Sequence, residues 1–292
     1  MYRGLAVRRL RCYLFLYIAL LAGITWQFVA SGDFSFGRRP WQNLQRTADE
    51  LSRPSFVDMW FGNERLEYRT ADGRVLRVEN QRTSEVRFLR GLAAAVATTF
   101  TIATLGSFLA AALALPFGLV SARNMQLPHP LASTARFLLD VSRAIHTLVF
   151  GLIIVGIIGL GPMAGVLAIA AHSFGSYGKL YAETIESVDA RMIESGVALG
   201  LSPLQTLVHG LRITLLPRWL SVHLYIWEFN VRDSTVLGLI GAGGLGLLVS
   251  EAVSLFQWGR LATILIAIVL LVVAFDAVSR KVRHDVLDPP AR

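Results

Sequence analysis

The chain is 292 residues long, 54% apolar and only 16% charged, a balance that excludes an ordinary soluble domain. Its formal net charge of +8 is not the signature of a nucleic-acid-binding surface, because basic residues flanking apolar segments are what set membrane orientation. A single cysteine, Cys12, rules out an internal disulfide framework.

A hydrocarbon core about 30 Å thick needs roughly 20 helical residues. The first apolar run, Tyr13 to Ala30, follows Arg3, Arg8, Arg9 and Arg11. No small-residue cleavage site follows it, so residues 1–30 read as a cytoplasmic start and a retained span. Residues 31–90 are polar and read as an extracytoplasmic segment. Within 64–80, Asp72-Gly73 separates two alternating stretches, which predicts a small hairpin. That hairpin either touches a partner or decorates the surface.

A second span is expected from Leu92 to Ala122. The tract from Thr147 to Ala171 is one span, or two broken at Gly159-Leu160-Gly161-Pro162. Lys179, Arg191, Arg212 and Arg218 belong in the cytoplasm, which requires two, the second from Met163 to Gly178. The third span then starts in the charged stretch Arg136 to His146. A fifth span from Trp219 to Ile240 and a sixth from Leu261 to Val278 return the chain to Arg280, Lys281 and Arg283. The expectation is an all-α polytopic membrane protein of about six transmembrane helices, both termini cytoplasmic, with residues 91–283 as the main domain and 284–292 as a tail.

Between the fourth and fifth spans, 185–217 form a polar loop. A helix over Leu180–Leu199 is expected to stop at Gly200, since glycine accepts a left-handed backbone without steric penalty. Ser202-Pro203 opens a second helix, with Gln205 completing a capping box. By shape alone this is a helix, tight turn and short helix, as in many connections between spans.

Charges in membrane segments usually face a partner or a wet path. Glu228 and Arg232 lie four apart on one face of the fifth span, with Asn230, Asp233 and Ser234 nearby. Two readings stand: a self-contained pair that locks helix packing, or an anion route lined by Arg232 and Asn230 with Glu228 orienting the arginine. Arg136, Asp140, Arg143 and His146 form a second stripe, read as salt-bridged anchoring ahead of substrate release. His172 reads as a structural histidine.

Gly241-Ala242-Gly243-Gly244-Leu245-Gly246 matches G-x-G-x-x-G, and a membrane oxidoreductase is the function it would imply. That fingerprint needs a strand–turn–helix in a βαβ unit, whereas another apolar span follows here. Gly175-Ser176-Tyr177-Gly178-Lys179 lacks the first glycine (Ser173) and the final hydroxyl residue (Leu180) of a nucleotide-binding loop. No His/Cys cluster has metal-site spacing.

Several stretches occur in a telling order. They are G-L-V-S-A-R-N from Gly118, R-A-I-H-T-L from Arg143, G-L-G-P from Gly159 and G-K-L-Y-A-E-T-I-E from Gly178. Glu194-Ser195-Gly196 with Gly200 follows, then the run from Leu224 to Gly246. Together they resemble the permease subunits of phosphonate-type ABC importers over residues 92–283. Where many such permeases carry Ile-x-Leu-Pro after the loop, this chain has Gly210-Leu211-Arg212-Ile213 and a later Pro217, so the fifth span is expected to start later or to enter at a different angle.

The resemblance implies an inner-membrane, multi-pass subunit of a bacterial ATP-driven importer. It would pair with a second permease copy or paralogue, with ATP-binding cassette subunits and with an extracytoplasmic substrate-binding protein. Its cargo would be a phosphorus oxyanion such as phosphonate or phosphite; another small solute such as an amino acid is the alternative. ATP would sit on the partner subunit, with no cofactor and no metal on this chain. Glu194, Ser195, Gly196, Gly200, Leu201, Ser202 and Pro203 are the implied coupling loop. Glu228, Asn230 and Arg232 are candidates for the path, and Gly241, Gly243, Gly244 and Gly246 for the outer gate.

Overall fold

The computed structural model describes residues 2–32, 39–62, 66–69, 75–125, 127–202, 205–206 and 212–287. It divides into two units, 1–49 and 50–292. The first holds α1 (Tyr2–Ala30) and most of α2 (Pro40–Leu51). Within α1, Leu10–Ala30 is long and apolar enough to cross a membrane, and none of its residues is buried.

The second unit opens with a short 3₁₀ turn at Ser55–Val57 and α3 (Asp58–Phe61). Leu66–Arg69 and Val75–Glu79 then pair as antiparallel strands, Leu66 opposite Glu79, with a register shift after Tyr68. The Asp72-Gly73 turn expected between them lies outside the described residues. Next comes α4 (Gln81–Ser121), whose first turn is capped by the Asn80 side chain accepting from Thr83 N at 3.1 Å. At roughly 1.5 Å per residue its 41 residues outrun a hydrocarbon core.

The third span differs from expectation. α5 (His129–Ala144) and α6 (Thr147–Ile158) are bent from each other by 90°. His146 makes the corner: its Nδ1 accepts from Leu148 N at 3.2 Å and caps α6. α6 has 12 residues, too short to cross alone.

α7 (Pro162–Glu186) is the central helix. It is long enough to span, but 13 of its 25 residues are buried, so protein rather than lipid surrounds much of it. Small residues explain how close its neighbours come. A Cβ on Gly106 of α4 would strike Ile169, and one on Gly175 of α7 would strike the α5 backbone at Leu139 and Arg143. Close approach through small residues is how membrane helices gain van der Waals contact.

The helix expected through Leu199 instead breaks at Ser187–Asp189. α8 (Ala190–Ala198) starts afresh there, its first turn capped by Asp189 Oδ1 accepting from Arg191 N at 3.0 Å. α9 (Arg212–Leu237) also departs from expectation, beginning five residues ahead of Pro217, which it contains. A π-type turn at Gly238–Ala242 and a 59° bend lead into α10 (Gly244–Ser254). α11 (Trp258–Leu287) closes the described chain. Arg260 on α11 forks onto Glu85 of α4 at 3.2 and 3.3 Å, tying the starts of those two helices together.

Among the described residues, three helices are long and apolar enough to cross a membrane, or up to five spans if each bent pair counts as one. This is the architecture of a polytopic helical membrane protein. It reaches the expected six only if the shielded α7 is added.

Candidate translocation and coupling site

The loop after α7 is a compact knob. Two residues past the end of α8, Gly200 has a φ of +83°, the left-handed residue that closes the helix. Leu201 N donates to Gly196 O at 3.1 Å, the six-to-one bond of a Schellman ending. The capping box then forms in both directions: Gln205 N donates to Ser202 Oγ at 3.2 Å, and Ser202 N to Gln205 Oε1 at 2.9 Å. Gly196 is buried against Thr206, where a Cβ would overlap the threonine side chain, so the start of the second helix presses on α8. Glu194, Ser195, Leu201 and Ser202 are exposed, and Leu199 is 81% exposed. Pro203 lies outside the described residues. The knob thus presents an apolar tip beside a carboxylate, braced from behind by Thr206, a contact the sequence reading did not anticipate.

A cavity of about 750 Å³ opens between α5, α7 and α9. Arg143 and Asp140 line it from α5, His172, Ser176 and Lys179 from α7, Tyr225 and Phe229 from α9. The expected stripe on α5 divides here. Arg136 Nε donates to Ser121 O at 2.8 Å and anchors α4, whereas Asp140 and Arg143 pair at 3.1 Å and stay half exposed at the cavity. His172 is satisfied structurally, its Nδ1 lying 2.8 Å from Ile145 O. Lys179 and Ser176 were not singled out for this role; a polar rhythm of four, three and four residues from His172 through Ser176 to Lys179 and Glu183 is the signal that could have found them.

The residues expected on the path separate. Glu228 and Arg232 form the i, i+4 ion pair, with Arg232 54% exposed and Glu228 18%. Asn230, two residues from each, projects from the opposite side of the helix. It is fully buried: Ser173 Oγ donates to its Oδ1 at 2.9 Å, and its Nδ2 donates to Ser107 Oγ at 2.8 Å. Asn230 therefore fastens α4, α7 and α9 together. Asp233 accepts from Thr147 Oγ1 at 2.6 Å, placing a carboxylate at the start of α6 where the helix dipole favours it.

The glycines cluster at the far end of α7 and α9 from the knob. Gly241, Gly243 and Gly244 all have positive φ, at +98°, +87° and +68°. Gly161 N donates to Gly241 O at 3.0 Å, so the break before α7 and the break after α9 are one joint. Leu160 caps Gly241, and Leu245 N donates to the buried Thr99 Oγ1 at 2.8 Å. Gly246 is helical; a Cβ there would overlap Thr235 O. The cluster is a turn between two helices, not the strand–turn–helix of a dinucleotide site.

The chain matches the binding-protein-dependent transport system inner membrane component family over residues 114–287, more than half its length. It belongs to that family. A putative phosphite transport system permease protein, HtxC, of Stutzerimonas stutzeri is 38% identical over 190 residues, 65% of this chain and 67% of that one. The phosphite transport system permease protein PtxC of the same organism is 38% identical over 63% of this chain and 67% of its own length. A phosphate-import permease protein, PhnE, of Mycolicibacterium smegmatis is 33% identical over 65% of this chain but 36% of its own length. Among solved structures, an inward-facing MetNI methionine ABC transporter chain aligns at a TM-score of 0.63 over 68% of this permease and 98% of that chain. At 19% identity that likeness shows the fold. The permease is thus a transport subunit of the inner membrane.

Proposed function

We propose that this permease moves a phosphorus oxyanion, phosphite or phosphonate, inward through the cavity between α5, α7 and α9. The observation that carries the reading is the pair of cations, Arg143 and Lys179, facing one open cavity beside Ser176. A guanidinium and an ammonium suit tetrahedral oxyanions, and Asp140 and Glu183 at the same wall keep the anion from being held too tightly to leave. The relatives named for phosphite and phosphate transport support that cargo. The exposed tip at Glu194–Leu201 is the docking point for an ATP-binding subunit, which hydrolyses the ATP. A second permease, identical or paralogous, completes the path, and a binding protein outside delivers the anion to the glycine joint. Both termini lie in the cytoplasm.

The test is uptake by proteoliposomes that hold the permease with its ATP-binding subunits and binding protein. ATP-dependent accumulation of phosphite is expected, falling at least about tenfold in Arg143→Ala and in Lys179→Ala through loss of charge-assisted contacts. Accumulation of an amino acid such as methionine, with no phosphorus oxyanion transported, would overturn the cargo assignment.

A further inference from the structure

A second recess, of about 380 Å³, lies where α7, α9 and α11 meet. Thr184, Arg218, Ser221, Tyr225 and Arg283 line it, and among the described residues no carboxylate does. Tyr225 and Leu180 line both this recess and the larger cavity, so the two are neighbours on one wall.

Its two arginines are under-used by the protein. Arg218 Nη1 donates to Ser187 Oγ at 3.0 Å, in the break that leads to the coupling knob. That bond occupies one of five N–H groups on a guanidinium. Arg283 Nε is buried and has no hydrogen-bond partner among the described residues. A buried polar atom of a charged group is expensive to leave dry, and two guanidiniums facing one hollow repel each other unless an anion sits between them. Two hydroxyl donors, from Thr184 and Ser221, stand at the same wall. A tetrahedral oxyanion takes hydrogen bonds from such a set in several directions.

We propose that the Arg218–Arg283 recess is a binding site for a phosphorus oxyanion at the cytoplasmic end of the permease, separate from the cavity that holds Arg143 and Lys179. The side of the membrane rests on the function proposed above; the chemistry of the recess does not. Free phosphate-type anion and the phosphate of an anionic lipid head group share that chemistry. Through Ser187 the occupied recess touches the joint between α7 and the knob, so occupancy reports to the element the ATP-binding subunit engages.

A single reporter thiol reads the site. In the assembled complex, Cys12→Ala removes this chain's sole native thiol and Ser221→Cys places one in the recess, its labelling read on the isolated permease band. Inorganic phosphate is expected to slow its alkylation saturably in lipid-depleted detergent, while chloride at equal ionic strength does not. Arg218→Gln and Arg283→Gln should each raise the half-protecting concentration about tenfold, and together abolish protection. Arg143→Gln should leave it unchanged. If protection instead needs nanodiscs containing phosphatidylglycerol, and phosphatidylcholine alone gives none, the occupant is a lipid head group and the site stands. Equal alkylation rates with phosphate, with phosphatidylglycerol and with neither would overturn the proposal. Arg218 is exposed, so Arg218→Gln carries the test even if Arg283→Gln fails to assemble. ATP-driven phosphite uptake by the same preparation separates the two readings. Uptake without protection removes the recess alone; protection without uptake of any phosphorus oxyanion removes the transport reading alone.

Discussion

Two polar residues of α9, only two positions apart, do unlike work. Arg232 is half exposed on the outside of the chain and paired with Glu228, while Asn230 is buried between two serines. Asn230→Leu should therefore destabilise the purified permease by about 2–4 kcal/mol, because Ser107 and Ser173 both lose their partner. Thermal unfolding in detergent checks this, and an unchanged midpoint would contradict the packing role. Arg232→Leu should leave the stability within about 1 kcal/mol, as exposed pairs contribute little. If Arg232 fronts the path, the same change lowers phosphite uptake; unaltered uptake would leave it a surface pair. At Gly200 the constraint is the backbone. A valine forced to φ +83° costs roughly 1–2 kcal/mol and re-aims the knob. Gly200→Val should leave the complex assembled but lose the stimulation of ATP hydrolysis by loaded binding protein.

Among the elements, the knob is held by local bonds that can be cut singly. Ser202→Ala removes one half of the capping box, about 1 kcal/mol, and should speed proteolysis near residue 205 without lowering the midpoint of the whole protein. At the other end, Gly244→Ala drives a Cβ into Thr99 Oγ1 and should impair closure of the glycine joint, seen as uptake lost while ATP hydrolysis no longer depends on binding protein. Both ends were legible because they obey local rules. Gly200, Ser202 and Gln205 announce a cap, and the glycines announce a break. The 90° corner at Ile145–His146 was not legible, since α5 and α6 read as one amphipathic-to-apolar run and tertiary packing decides the angle. The restart at Asp189 left a signal that was passed over, an aspartate two residues ahead of Arg191. Pro217 does not mark the start of the helix: α9 tolerates the lost hydrogen bond within its second turn. Arg143 and Lys179 line one cavity from α5 and α7; the polar rhythm along α7 marks its own wall, but no spacing within one helix says which helix stands opposite.

Taken as a whole, α7 and α9 run between the knob and the glycine joint, and α4 is pinned to both at Asn230. Hydrogen exchange on the assembled complex should show changes on ATP binding at 187–206 and 238–246, with α4, α7 and α9 uniformly slow; large changes along those helices would mean that they deform instead. The pin also decides what kind of movement is open to them. Sliding α9 by one helical turn, about 5.4 Å, would take Asn230 away from both hydroxyls at once. Three polar groups would be stranded in a dry interior, at about 1–3 kcal/mol each. Sliding is therefore costly for this subunit. Rotation of α4, α7 and α9 as one body keeps the pin intact, so a push on the knob would reach the glycine joint as a change of angle.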